Sequence, residues 1–450
     1  MATIAAISTP QGVGGISVIR LSGNQAKQIA CKVFLPTGGF NFEDAEPRKM
    51  YLGIFNAANF TEKCMAVYFK SPNSYTGEDI VEFQCHGGIV IANGILTTLL
   101  NNGATLAGPG EFTKRAFVNG KLSLDEAEGV MDMINAESES EVRAGYNLLN
   151  GNLSKEIIEL QNDLTKMLAK IEVVLDYPEN DYEDQTSEEV ENVLVDVKSK
   201  IDSLIETSST GMMIKNGSKI LILGKPNVGK SSLLNSILNY ERAIVTEIKG
   251  TTRDILEETY VFKGVKFVLT DTAGVHESHD EVEKIGIKKA KEAINYADVV
   301  LVVLDASTQL EPEDVEILNM VDKNRTILVL NKCDLKTNID LSKYTFEKVI
   351  KVSALNKSGI EELKQTIYDL VIDKNIISSN ILITNQRHLQ ALNQANKYVL
   401  DALNSLHIKN TLDIVSIDIK NVWMALGEIT GNSNNESIVD EIFSSFCVGK

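Results

Sequence analysis

The stretch KILILGKPNVGKS, residues 219–231, decides the architecture. An apolar run ends at a glycine, and Gly224 to Ser231 then follow the spacing GxxxxGK[ST]. Glycines there let successive backbone N–H groups wrap phosphates at a helix N-terminus. The pattern puts Asn227, Val228, Gly229, Lys230, Ser231 and Ser232 around a nucleotide, with Lys230 on the β- and γ-phosphates and Ser231 on Mg²⁺. The strand before this loop has companions: KFVLTD at 266–271, VVLVVLD at 299–305, TILVLN at 326–331 and VIKVSA at 349–354. Helical stretches separate them, one starting at 230 and another closing the series near 361–373. Buried apolar strands alternating with helices predict a parallel sheet covered on both faces.

Further motifs sit at strand ends. Asp271, Thr272, Ala273 and Gly274 end KFVLT, where a carboxylate reaches the metal shell and a glycine N–H the γ-phosphate. Asn331, Lys332, Cys333 and Asp334 end TILVL. An aspartate there accepts both N1–H and the exocyclic amine of guanine, which adenine does not offer, so it selects GTP over ATP. Ser353, Ala354 and Leu355 follow VIKV as a supporting base-contact loop. Together the four elements resemble those of Ras-like GTPases. Where such enzymes carry a water-orienting glutamine after DTAG, this chain has Val275. Between the P-loop and DTAG, Thr246, Glu247, Ile248, Lys249, Gly250, Thr251 and Thr252 precede Arg253 and Asp254, and Thr252 is the expected Mg²⁺ and γ-phosphate sensor of switch I.

On either side the texture changes. Residues 1–115 mix short β-like runs (TIAAIS, GISVIRLSG, MAVYFK, IVEFQCHG) with glycine-rich punctuation, as in an α+β domain. Leu149, Leu153, Ile157, Leu160, Leu164, Met167, Ile171 and Leu175 then recur at steps of three and four, the stripe of one long amphipathic helix. A similar stripe returns in Leu389, Leu392, Ala395, Val399, Leu403 and Leu406, and nothing like it lies over 217–374. The two helical segments are expected to pack together with the nucleotide domain inserted between them.

Composition bounds the function classes. The chain has 450 residues, 43% hydrophobic and 24% charged, with no apolar run near the length of a membrane span and no leader pattern at its N-terminus. A cytoplasmic protein with no membrane partner is expected. Five cysteines without a CxxC pair argue against a disulfide framework and a zinc site. Net charge is −18, so a phosphate backbone must be met by a local basic patch. From Asp176 to Glu191 there are eight carboxylates and no Lys or Arg, read as a solvated loop and helix start. The compact basic groups are Lys114, Arg115 and Lys121, and the run Lys284, Lys288, Lys289 and Lys291, the latter more simply a solvated helix face.

The motifs TIAAISTPQGVGGISVIRLSG at 3–23, SYTGEDIVEFQCHGG at 74–88, GPGEFTKRAFVNGKLSLDEAE at 108–128 and FSSFCVGK at 443–450, with the inserted GTPase, resemble the tRNA-modification GTPases called MnmE or TrmE. The resemblance spans the whole chain. It implies a multidomain α/β protein: an N-terminal tetrahydrofolate-binding and dimerisation domain at 1–118, a helical domain at 119–214 and 376–450, and a Ras-like G domain at 215–375 inserted into it. It further implies a homodimer acting with the flavoprotein MnmG and its FAD on C5 of the wobble uridine of certain tRNAs, using formyl- or methylene-tetrahydrofolate. Arg20, Glu82, Lys121 and the terminal Lys450 match the folate site, although singly Lys121 reads as a surface lysine and Glu82 as an edge-strand charge. Cys447 matches the family's thiol associated with modification, and reads equally as a small buried hydrophobe beside Phe443 and Phe446. The other four cysteines are expected to be structural, and His86 to shape a turn. Asn227, with Thr246, Ile248 and Thr251, is expected to hold K⁺ where other GTPases use an arginine finger, the alternative being an asparagine that only rigidifies the loop. Glu283 matches a family glutamate that positions the attacking water. Gln11 and Val13 replace residues that are commonly Pro and Arg in the family. Two other classes stay open: a ribosome-assembly GTPase, and a folate-sensing regulatory GTPase without chemistry of its own.

Overall fold

The computed structural model describes residues 1–177, 183–238, 257–271, 292–371, 381–408, 411–433 and 436–449. They fall into two compact units: Met1–Met131 with Leu148–Val197 and Gln394–Lys450, and Asp132–Asn147 with Lys198–Asn393.

The first unit begins with a seven-stranded sheet of β1 (Ile4–Ile7), β2 (Ile16–Ser22), β3 (Phe34–Pro36), β4 (Met50–Asn56), β5 (Thr61–Phe69), β6 (Ile80–His86) and β7 (Thr105–Leu106). Its order is β3-β4-β5-β6-β2-β1-β7, antiparallel except for the β1–β7 pair. Alternation along the strands sends Ile19, Leu21, Phe55, Ala66, Val81 and Phe83 onto Ile29, Val33, Ile95 and Leu99 of the helices Ala26–Val33 and Ile89–Asn101. The opposite face leaves Leu35, Met50, Leu52, Ile54 and Met65 exposed.

The stripe expected to form one helix from Leu149 is divided. Gly151, at φ +72°, ends the run, so Leu149 closes the helix Glu139–Leu149 and a new helix starts at Asn152. That helix, Asn152–Asp176, buries Leu153, Ile157, Leu160, Leu164, Met167 and Ile171, while Leu175 is exposed. It packs along the helix Leu412–Thr430, which buries Val415, Ile419, Val422 and Leu426, and Gln161 donates to the Trp423 carbonyl at 2.9 Å. The second predicted stripe lies on the helix Gln386–His407, with Leu392, Ala395 and Val399 buried.

In the second unit β8 (Ser218–Leu223), β9 (Glu257–Phe262), β10 (Val265–Asp271), β11 (Val299–Asp305), β12 (Thr326–Asn331) and β13 (Val349–Lys351) form a sheet ordered β13-β12-β11-β8-β10-β9. Ile220, Ile222, Leu301, Val303, Ile327 and Val329 face one apolar layer, and Leu221, Leu223, Val300, Val302, Leu328 and Leu330 the other. This two-sided burial is why these strands read as unbroken apolar runs. The sheet is not wholly parallel, because β9 pairs antiparallel with β10. Lys263 (φ 50°) and Gly264 (φ 77°) make the two-residue turn that permits it.

Arg115 proves to be internal. It is 5% exposed, with one guanidinium nitrogen 3.0 Å from Glu78 and the other 2.7 Å from Glu111. Glu78 also accepts from Ser22 Oγ at 2.8 Å, and Asn119 Nδ2 donates to the Thr76 carbonyl. The motifs at 74–88 and 108–128 are therefore knitted together by one cation, which removes Arg115 from the surface groups available to tRNA. Lys114 instead pairs with Asp440 in an exposed bridge. Arg115→Met should strand two carboxylates and cost about 3 kcal/mol, whereas Lys114→Met should cost under about 1 kcal/mol. Hydrogen exchange in strands β2 and β6 measures both: expected is earlier opening for the first variant and an unchanged pattern for the second.

Candidate functional site

The loops at the carboxyl ends of the parallel strands converge. β8 gives way at Gly224 to the P-loop, and the helix Lys230–Leu238 starts at the lysine itself. Such a start aims the loop's N–H groups at one point and makes it an anion site. Asn331, at the end of β12, joins three loops with one buried carboxamide: Nδ2 donates to the Val228 carbonyl at 2.9 Å, and Oδ1 accepts from the Ala354 N–H at 3.1 Å. Gly229 is required beside it, because φ is +97° and a Cβ would lie 2.3 Å from Asn331 Nδ2.

Lys332 Nζ donates to the Asn227 carbonyl (3.0 Å) and to Asp305 Oδ2 (2.6 Å), bracing the P-loop from below. Burial works against the Asp305 carboxylate, but hydrogen bonds from Lys332 and Ser307 outweigh it and hold its pKa below the ordinary aspartate range. Asp305 escaped the sequence reading, although a carboxylate ending VVLVVLD follows the same strand-end logic as DTAG and NKCD. Asp334 accepts from Ser353 Oγ at 2.5 Å while itself exposed, so its carboxylate is aimed without being buried. Ala354 is buried and Leu355 is 82% exposed. Lys230 Nζ lies over the P-loop, donating to the carbonyls of Gly224 (2.8 Å) and Lys225 (3.0 Å). Ser231, Ser232 and Asn227 are exposed there, Asn227 at φ +66°. Lys225 is held away from the loop by Asp314 (2.9 Å) and Glu311 (3.1 Å). Asp271 ends β10. Thr246 to Thr252, Asp254, Thr272 to Gly274, Glu283 and the lysines from 284 to 291 lie outside the described residues.

A second constellation occupies the seven-stranded sheet. Arg20 on β2 and Glu82 on β6 stand opposite each other in register, with Nε donating to Oε1 at 2.8 Å. β6 is an interior strand, so the edge-strand explanation of Glu82 fails. The Arg20 guanidinium lies 5.4 Å from the Tyr75 ring and 5.6 Å from that of Phe112. An arginine and a carboxylate side by side, walled by rings, suit a flat ligand with donors at one end and acid at the other. Lys121 is exposed, with its chain against Gly77, and Lys450 lies outside the described residues.

The chain's C-terminal tail returns to this sheet. Val448 bridges Pro109, and the Gly110 N–H donates to the Cys447 carbonyl at 3.3 Å. Gly110 (φ +60°) and Gly449 (φ +98°) permit the approach, since a Cβ would lie 2.8 Å from the Phe443 carbonyl and 2.3 Å from the Ile7 carbonyl respectively. Ala6, the neighbour of Ile7, is the register partner of Arg20. Phe443 and Phe446 are buried, but Cys447 is exposed, which excludes the buried-hydrophobe reading of that thiol. Burial pushes the thiols of Cys64 up to about 12 and Cys85 up to about 11, so both are inert at neutral pH. His86 ends β6 with its ring on Glu62. Among the described residues no group of His, Cys, Asp and Glu is arranged to hold a metal ion.

Comparison with known proteins follows the same division. Residues 3–121 match the family model "GTP-binding protein TrmE N-terminus", and residues 124–447 match "MnmE helical domain". A tRNA modification GTPase MnmE of Clostridioides difficile is 44% identical, with 100% of this chain and 99% of that protein covered. The protein of the same name from Alkaliphilus metalliredigens is 41% identical, covering 100% and 99%. Among solved structures, Era from Aquifex aeolicus bound to GDP and AlF4⁻ is 28% identical, with a TM-score of 0.29 over 40% of this chain and 66% of that one. With both family models matching in sequence order and relatives aligned from end to end, the chain belongs to the MnmE family of tRNA modification GTPases.

Proposed function

We propose that this GTPase acts as a homodimer with the flavoprotein MnmG and tRNA in the cytoplasm, adding an aminomethyl or carboxymethylaminomethyl group to C5 of the wobble uridine. The observation that carries the reading is the tail: Cys447 is exposed, its carbonyl accepts from the Gly110 N–H, Val448 bridges Pro109, and Gly449 lies against Ile7 of the sheet that bears the Arg20–Glu82 pair. An exposed thiol brought to the sheet that would hold the folate is where a modification step would need one. The folate would be held by Arg20, Glu82, Lys121 and Lys450, and it supplies the one-carbon unit when bound. A second copy would cover the exposed Leu52, Ile54 and Met65 of the sheet. The functional division is 1–118 for folate and dimerisation, 215–375 for GTP, and 119–214 with 376–450 as the helical domain.

In the G domain, Asp334 accepts the guanine N–H donors and Lys230 neutralises the phosphates. Mg²⁺ would be held by Ser231 and Thr252, and K⁺ by Asn227, Thr246, Ile248 and Thr251; the exposed Asn227 side chain fits such a site. Both ions supply positive charge at the β- and γ-phosphates. Glu283 orients the attacking water through a second water. Among the described residues no helix is long and apolar enough to cross a membrane.

Two outcomes are expected. Asp334→Asn should weaken GTP binding by about tenfold or more and favour xanthosine triphosphate, because an amide donor replaces the acceptor that guanine N1–H requires. Titration of both nucleotides checks this, and unchanged GTP affinity contradicts it. GTP turnover should be faster in KCl than in NaCl, with Asn227→Ala erasing the difference and Glu283→Ala slowing turnover about 10²-fold in KCl. Equal wild-type rates in the two salts overturn the cation assignment, and a full rate for Glu283→Ala moves the water to another group.

A further inference from the structure

The chain carries a net charge of −18, yet residues 323–357 hold eight Lys and Arg against three Asp and Glu. Three of the cations are engaged: Lys332 on Asp305, Arg325 on the Ala297 carbonyl, and Lys323 over the Phe346 ring. Lys336, Lys343, Lys348, Lys351 and Lys357 are in no ion pair among the described residues, and all but the half-buried Lys348 are exposed. Of the three acids, Asp334 is bonded to Ser353, and Asp340 is held at a low pKa first by hydrogen bonds from Ser342 and then by the nearby Lys343. Glu347 is exposed.

The fold gathers these lysines. β13 is one edge of the six-stranded sheet and places Lys351 outward, while the Leu328 N–H binds the Lys348 carbonyl and fixes the start of the strand. Ser353 and Ser358 then pair across a tight turn, and Gly359 sits so close that a Cβ would lie 2.2 Å from the Lys351 carbonyl. Lys357 is thereby returned to the neighbourhood of Lys351. Three residues apart, Lys348 and Lys351 point to opposite sides of this edge, so a polyanion lying along the edge can meet both without reading bases.

We propose that this lysine-bearing edge, centred on Lys343, Lys348 and Lys351, is a docking surface for the phosphate backbone of the tRNA substrate. The inference rests on the tRNA-modifying role proposed above. In a strongly acidic chain a polyanion must approach by a local basic surface, and this edge supplies one outside the GTP loops. The competing explanation is that edge lysines only discourage strand pairing between copies.

The test measures binding of bulk deacylated tRNA to the full chain by anisotropy between 50 and 200 mM salt. The triple variant Lys343→Gln, Lys348→Gln, Lys351→Gln should bind about tenfold more weakly, with its log–log salt slope shallower by about 2. GTP turnover should be kept, and the control Lys166→Gln should match wild type. A triple variant with wild-type affinity and slope overturns the inference, most directly if it also aggregates, as the edge-protection explanation requires. Displacement of tRNA by polyglutamate at equal charge would also overturn it, in favour of an acidic protein partner. Nucleoside mass spectrometry of tRNA from a deletion strain separates the two levels: a modified wobble uridine restored by the triple variant sinks the docking surface alone, and no change on deletion sinks the tRNA role with it.

Discussion

The carboxamide of Asn331 is the contact on which the nucleotide site depends. It is buried at the end of β12 and spends its donor on the P-loop and its acceptor on the loop of Ser353 to Leu355. An amide is one of the few side chains that offers both in one plane. Losing it would leave a buried carbonyl and a buried N–H unpaired at once, each costing about 1–3 kcal/mol. Lys332 and Ser353 build on that fixed point. The lysine couples Asn227 to Asp305, and the serine aims Asp334. The carboxylate proposed to select guanine and the loop proposed to hold the phosphates are thus parts of one braced assembly.

The sheet of the other unit is organised by a comparable economy of contacts. Arg115 inside the domain holds Glu78 and Glu111, while the half-buried Arg20 is paired to Glu82 and flanked by rings. Two arginines of similar chemistry therefore have opposite duties. The tail adds a third element, because backbone approach at Gly110 and Gly449 brings Cys447 to the same sheet. Any side chain at either glycine would push the tail away.

Charge is distributed with a purpose that total composition hides. Several lysines on the helices are paired along their own surface, as with Lys166 and Asp163 or Lys198 and Asp202. Such exposed pairs contribute little stability. The lysines from 336 to 357 stand apart because five of them, none in an ion pair among the described residues, cluster within 22 positions of an acidic chain.

Motif spacing alone determined the P-loop, NKCD and the apolar strands, because each is a local pattern whose residues act within one strand-and-turn segment. Gly224 to Ser231 needs only its own backbone to make a phosphate loop. The same holds for the stripes on the helices Asn152–Asp176 and Gln386–His407, which period 3.6 makes visible. Tertiary structure decided the rest. Whether Arg115 was a surface cation or an internal tie depended on Glu78, 37 residues away, and periodicity carries no information about such a pair. Helix Asn152–Asp176 found its partner in Leu412–Thr430, whose burial has too little polar contrast to mark a stripe. β9 was hidden because the two-residue turn at Lys263 and Gly264 lacks the usual Asn or Asp before its glycine. The placement of Cys447 hung on two glycines touching backbone more than 300 residues away in the chain. Long-range approach of this kind is set by what the assembled sheet leaves room for, and no local pattern of residue types encodes it.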